Sequence, residues 1–331
     1  MNGVRVGEKG EFGLIADLRR WLDPEAGGMI RGAGDDAAVF EARGGRRFAY
    51  TADAMVEGVH FDPAYTPWHA LGYKALAVNL SDLAAMGGGG PSYALVVLGL
   101  REDIEVEALE EVYRGMRDCG AGFSCAVVGG DIVASPERMF ISVSLVGALA
   151  GDGFLARDGA RPGQAVAVTG TLGDSILGLK ELMSGKGNDT HCARRHLYPE
   201  PRMREGRAAL EAGASAAIDV SDGLLRDLGH ICDESGVGAR VLVEDIPISA
   251  EARRVARDMG LDPVEAAVAG GEDYELVVVA DGEVMGRLAA TCALSVIGEI
   301  VPGEGVELVD RGGRRVTVGG SGYEHFKETG G

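Results

Sequence analysis

Apolar residues recur along this chain with two different periods, and the alternation between them separates strands from helices. In MFISVSLVGAL (139–149), Phe140, Ser142 and Ser144 alternate with Ile141, Val143 and Leu145, the two-residue period of a strand. FAYTADAMV (48–56), SYALVVLGL (92–100) and AVVGGDIVAS (126–135) also read as strands, the last ending in a Gly-Gly-Asp turn. Residues 11–22 predict a short amphipathic helix, and residues 104–121 a long helix. Residues 68–86 behave differently. Leu71, Ala75, Val78, Asp82 and Ala85 fall on one stripe, and Leu76, Leu80 and Leu83 on the opposite face. A helix apolar nearly all round is expected to be buried.

The stretch 151–164 (GDGFLARDGARPGQ) is polar and bears Gly and Pro, and beyond it the pattern restarts. Strand AVAVTG, helix DSILGLKELMSG, strand AAIDV, helix SDGLLRDLGHICDESG, strand ELVVVA and helix GEVMGRLAATC follow in order. The reading is two domains, 1–150 and 151–331, each an α/β or α+β sandwich. No repeat of fixed period is present.

Composition narrows the function. The net charge is −19 over 331 residues, which repels nucleic acid and anionic lipid and leaves neither as an expected partner. A chain this acidic that handles an anionic substrate needs metal cations or local basic residues. The five cysteines have no C-x-x-C spacing, so a zinc site or disulfide framework is not expected and a reducing cytoplasm fits. Neither a signal-peptide core nor an apolar stretch of ~18 residues is present, so no membrane span is expected.

No P-loop pattern occurs. Acidic residues stand instead at strand ends and helix starts: Asp35, Asp36, Asp53, Asp82, Asp131, Asp219 and Asp222. Magnesium takes oxygen ligands and shares them with substrate phosphates, and phosphoryl transfer is mostly positioning and charge neutralisation. Asp82 is the most informative, because an ionised carboxylate on a buried apolar helix is costly unless a cation or strong donors meet it. It reads either as a metal ligand or as a buried cap on a loop amide. Asp219, Ser221 and Asp222 read as an N-cap or as a phosphate and metal cluster at a helix start. His60 reads as a packed surface residue or a ligand contact. Arg157 and Arg161 read as solvated charges or as clamps on a phosphate tail.

The segments EFGLIADL, GAGDDAAV, TADAMVEGVHF, YKALAVNLSDLAAMG, VGGD, ARDGARPGQAVAVTGTLGDS, RHLYPEPRMREG, AIDVSDGLLRDLGHI, GGEDYEL and GYEHF occur in that order. Together they resemble thiamine-monophosphate kinase, of the aminoimidazole-ribonucleotide-synthetase-like superfamily, from end to end. The resemblance implies two α/β domains and a homodimer in which the N-terminal sheets pack into a barrel. It implies ATP as phosphoryl donor and thiamine monophosphate as acceptor, with direct in-line transfer and several Mg²⁺ ions. By motif, Asp36, Thr51, Asp53, Asp82, Asp131, Asp219 and Asp222 would hold metal. Gly130, Asp131, Arg157, Ser221 and Tyr113 would contact ATP, and His60, Glu272 and Tyr323 the thiamine substrate. Asp82, Asp131, Arg157 and Asp222 would carry the chemistry.

Three departures stand out. Ala52 occupies a position where the family often has a hydroxyl, GGGG (87–90) replaces the usual lead-in after the helix, and VGGDIV lacks hydroxyls after its Asp. None removes a carboxylate. Two alternatives remain: another ATP-dependent synthetase of the superfamily, or a non-catalytic nucleotide-binding scaffold.

Overall fold

The structure, a computed structural model, describes residues 5–22, 27–149, 153–320 and 322–325, without the side chain of Phe12. The boundary expected between 150 and 151 lies outside the described residues.

In the N-terminal part, α1 (Val6–Lys9) and α2 (Glu11–Arg19) precede β1 (Met29–Arg31), β2 (Ala38–Glu41) and β3 (Arg47–Val56). Then come α3 (Trp68–Ala85), β4 (Gly88–Leu100), α4 (Val106–Phe123), β5 (Cys125–Ala134) and β6 (Phe140–Leu149). The strands form one sheet ordered β1-β2-β3-β6-β4-β5, antiparallel except where α4 connects the parallel pair β4 and β5. Gly88 to Gly90 of the four-glycine run open β4, with a register shift between Gly88 and Ser92. The expected Gly-Gly-Asp turn does not form: β5 continues through Gly130 and Asp131 to Ala134. Pairing with β4 holds it straight, and the glycine serves close approach, since a Cβ at Gly130 would lie 1.8 Å from the Val96 carbonyl oxygen.

Between Ala70 and Ala85, α3 is buried at every position except Tyr73 and Asp82, as its apolar pattern demands. It crosses α4 at backbone contact through Gly72 and Gly115, where a Cβ would meet Val112 O at 1.8 Å and His69 O at 1.9 Å. The helices cover one face of the sheet. On the other, Tyr50 and Tyr93 lie in one register row through Val146, and both are about half exposed, as is Leu95.

The C-terminal part begins with a 3₁₀ turn, Arg157–Gly159, and β7 (Ala165–Thr169). Three helices follow, α5 (Asp174–Met183), α6 (His191–Leu197) and α7 (Met203–Ala212), then β8 (Ala216–Asp219), α8 (Leu224–Ser235) and β9 (Gly238–Leu242). The chain ends through α9 (Ala250–Met259), α10 (Pro263–Ala269), β10 (Leu276–Ala280), α11 (Gly282–Ala289), β11 (Leu294–Val301) and β12 (Gly305–Val309). The sheet order is β12-β9-β11-β7-β10-β8, with only β12 and β9 parallel. Both halves are therefore α+β layers with largely antiparallel sheets. α3 joins them: Ala84 and Ala85 share one apolar cluster with Leu155, Ala209, Ala217, Leu276 and Val278. Among the described residues no helix is long and apolar enough to cross a membrane.

Candidate active site

Carboxylates converge where α3 meets both sheets. Asp36 arrives on the glycine-rich loop before β2, Asp82 on the last turn of α3, and Asp219 at the end of β8. One carboxylate oxygen from each lies within 4.8 Å of the others. Thr51, buried on β3, donates its hydroxyl to Asp82, and Asp53, two residues on, shares a hydrogen bond with Asp82. Ser81 donates to Asp219 at 2.6 Å. No loop amide donates to Asp82 among the described residues, so the capping alternative falls away.

Such crowding disfavours ionisation. Burial, then Asp53, Asp219 and Asp36, pushes Asp82 well above the usual carboxylate range, and burial followed by Asp36 pushes Asp219 up to about 8. Arg157 donates to Asp36, and its Nε stands 3.9 Å from Asp35. Asp35 is held in turn by Arg31 at 2.9 Å. The other oxygen of Asp36, Oδ2, is buried with no hydrogen-bond partner. An all-oxygen donor set, mutually repelling and with one orphaned acceptor, fits Mg²⁺. Arg161 is exposed and stays out of the cluster, the solvated charge of its simpler reading.

The loop before α8 holds Ser221 and Asp222, and neither caps the helix, whose N-cap is Gly223 without a side-chain bond. Asp227, one turn inside α8, accepts the backbone N–H groups of Ser221, Asp222 and Gly223, each at 3.0 Å. Those amides are therefore committed to a carboxylate. Asp222 lies outside the close trio, raised to about 6 by burial against the pull of Arg226.

The residues expected to meet the acceptor are strapped to this same loop. Glu272 donates its N–H to Ser221 O at 2.7 Å, and Tyr323 donates to Asp222 O at 3.0 Å. Glu272 and Tyr274 both adopt left-handed backbone, with φ of 65° and 51°, a strained state for residues with side chains. His60 accepts the Val56 N–H on Nδ1 at 3.1 Å, which places its proton on Nε2. Its ring lies 5.2 Å from that of His325, which packs edge-on to Tyr323 at 5.0 Å. Glu11 of α2 accepts the His325 N–H and brings the N-terminal helix to this group.

Gly130, Asp131 and Tyr113 stand elsewhere. They line a groove of about 1030 Å³ between α4 and the edge strand β5. Asp53, Val143, Val96 and Gly130 are register partners in successive strands. Gly130 is thus three strand spacings from Asp53, about 14 Å, so Asp131 shares no ion with the Asp82 cluster of its own chain.

Four residues enter the site that spacing did not single out. All four lie inside the segments quoted above; for Asp227 and His325 a carboxylate one turn into a helix and a ring beside Tyr323 were the available signals. Lys74 is buried on α3 and His196 on α6; a lysine on an all-apolar helix is as informative as Asp82.

Comparison with known proteins identifies the family. The family model for AIR synthase related protein, N-terminal domain, matches residues 34–149, and that for the C-terminal domain matches residues 161–311. Thiamine-monophosphate kinase of Aquifex aeolicus is 38% identical over 327 residues, covering 98% of this chain and 100% of the relative. That of Caulobacter vibrioides is 39% identical over 330 residues, covering 95% and 90%. The solved structure of AaThiL complexed with AMPPCP and TMP superposes with a TM-score of 0.87 at 37% identity, covering 98% of this chain and 100% of that one. Matched in both domains and similar in sequence from end to end, the chain belongs to the thiamine-monophosphate kinase family.

Proposed function

We propose that the protein transfers the γ-phosphoryl group of ATP directly to thiamine monophosphate, giving thiamine diphosphate, with Mg²⁺ bound by Asp36, Thr51, Asp53, Asp82, Asp219 and Asp222. The observation that carries this reading is the cluster of Asp36, Asp82 and Asp219 with its orphaned Asp36 oxygen, bonded through one loop to Glu272 and Tyr323. Donor and acceptor ends of a transfer are thereby fixed to a common backbone. Bound Mg²⁺ would neutralise polyphosphate charge in this acidic cleft. Arg157 holds Asp36 in place and offers a fixed cation to a phosphate oxygen, and Ser221 offers a hydroxyl. Glu272, His60 and Tyr323 receive the thiamine moiety, whose cationic ring suits an aromatic face.

Residues 1–150 form the metal-binding and dimerisation domain, and 151–331 complete the nucleotide and substrate site. The protein acts in the cytoplasm as a homodimer. Two features support the dimer: the uncovered apolar sheet face around Tyr93 and Leu95, and the separation of Asp131 from the Asp82 cluster. A second copy on that face would bring Gly130, Asp131 and Tyr113 of the partner subunit to the nucleotide.

The test is incubation with ATP, Mg²⁺ and thiamine monophosphate, with products separated by chromatography. Thiamine diphosphate and ADP in equal amounts are expected. ADP with inorganic phosphate and no thiamine diphosphate, or no turnover at all, would overturn this choice of acceptor.

A further inference from the structure

Lys74 lies near the middle of α3 and is 2% exposed. Burying an ammonium group is unfavourable unless it is paired and hydrogen-bonded. Its Nζ stands 3.0 Å from Glu272 Oε1 and 3.4 Å from His196 Nε2. His196, 3% exposed, turns Nδ1 toward Ser175 Oγ at 3.0 Å and Glu272 Oε2 at 3.6 Å. Burial, then Lys74, lowers His196 to about 3, so the ring is neutral: Nε2 accepts from Lys74 and Nδ1 carries the proton. The three side chains thus sum to no net charge. They also differ in access, because Glu272 keeps 28% of its side chain exposed while Lys74 keeps 3%. A ligand can reach the Glu272 side chain, and the Lys74 ammonium is sealed behind it.

We propose that Lys74, assisted by His196, is a positioning residue that fixes Glu272 as an oriented hydrogen-bond acceptor for the amino group of the acceptor's pyrimidine ring. This rests on the acceptor site assigned above and decides between two roles for Glu272. A bare carboxylate would serve as counter-ion to the cationic thiazolium. Here that charge is already matched by Lys74, and what the outer edge of the carboxylate offers is directional acceptance from N–H. The geometry also sets reach. Lys74 and Asp82 are eight residues apart on one rigid helix, about 12 Å along its axis, so α3 spaces the acceptor contact from the metal cluster. Lys74 and Glu272 come from different halves of the chain, so the spacing holds only while the halves are docked.

The test compares thiamine monophosphate with an analogue whose pyrimidine amino group is replaced by oxygen, in wild type, Lys74→Met, Lys74→Arg, Glu272→Gln and the Lys74→Met/Glu272→Gln double variant. Wild type should prefer the natural acceptor by about tenfold or more in kcat/KM. Lys74→Met should reduce that preference to about twofold, mainly by raising the KM of the natural acceptor, with the KM of ATP little changed. Lys74→Arg should recover part of the preference, and adding Lys74→Met to Glu272→Gln should cost little more. An equal loss with both acceptors and an unchanged preference in Lys74→Met would overturn the proposal, as would independent, additive effects of the two substitutions. If Lys74→Met does not fold, Lys74→Arg and Glu272→Gln carry the same comparison: undiminished preference in both overturns it. Failure of wild type to phosphorylate thiamine monophosphate would instead overturn the acceptor assignment itself.

Discussion

Single residues in this protein are placed against their own electrostatic preference. Asp82 sits on a buried helix beside Asp53, Asp219 and Asp36, and its protonated form is favoured. The Asp82→Asn variant should therefore remain folded, with an unfolding temperature in metal-free buffer no lower than wild type. Its turnover should fall by about a hundredfold or more, because charge neutralisation at the phosphates is lost. Near-normal kcat at saturating Mg²⁺ would make Asp82 structural. The same crowding predicts an unusual pH dependence. Burial and the neighbouring Asp36 raise Asp219 to about 8 in the fold, from 3.8 for an unperturbed carboxyl. Between those values the folded state holds protons that the unfolded state has released, so stability falls as pH rises through the interval. In EDTA the unfolding temperature should drop between about pH 5 and about pH 8, and added Mg²⁺ should restore more of it at the higher pH. A metal-free stability that rises over that range would contradict the assignment.

At the scale of elements, α3 and the loop before α8 organise the chemistry, and they differ in how far the sequence reveals them. Buried helices are legible from composition alone, and α3 is apolar on every side, so both its burial and the anomaly of Asp82 could be read directly. The start of α8 was not legible in the same way. Ser221 and Asp222 have the look of caps, yet neither caps α8, and Asp227 instead takes the backbone N–H groups of Ser221, Asp222 and Gly223. A cap read from spacing cannot register a carboxylate that folds back from inside the helix. Strand β5 misled for a similar reason: Gly129 and Gly130 suggest a turn, and only the pairing partner shows that the absent Cβ makes room for Val96. Helices α6, α7, α9 and α10 were not read from the sequence; α6 and α10 run to only seven residues, too short for an apolar stripe to repeat. Replacing Asp227 with Ala should destabilise the protein by about 1–3 kcal/mol through unsatisfied amides. Denaturant unfolding measures that cost. The variant should also lose activity beyond what stability explains, since Asp222 and Ser221 would no longer be held; Asp227→Asn should be milder. Full activity in a folded Asp227→Ala variant would show that the loop keeps its shape without it.

The whole molecule is two α+β layers whose seam contains the acidic cluster, and its outer sheet face leaves Tyr50, Tyr93 and Leu95 about half exposed. Light scattering should find a dimer at micromolar concentration, and Leu95→Glu on the exposed face should yield monomers with little activity. A fully active monomer would refute the shared-site reading. If Asp131 acts from the partner subunit, mixing inactive Asp82→Asn and Asp131→Asn chains should restore some turnover, because the hybrid contains one intact site; no recovery on verified subunit exchange would refute the shared site. The resemblance across the full length supplied the reaction, and the structure adds a cluster of Asp36, Asp82 and Asp219 joined through the loop before α8 to Glu272 and Tyr323. The most direct test is a single turnover with ATP labelled at the γ-phosphate, excess enzyme, Mg²⁺ and thiamine monophosphate. The account predicts that label passes into thiamine diphosphate with no labelled protein at any time. Label released as inorganic phosphate, or trapped on the enzyme before product forms, would contradict it.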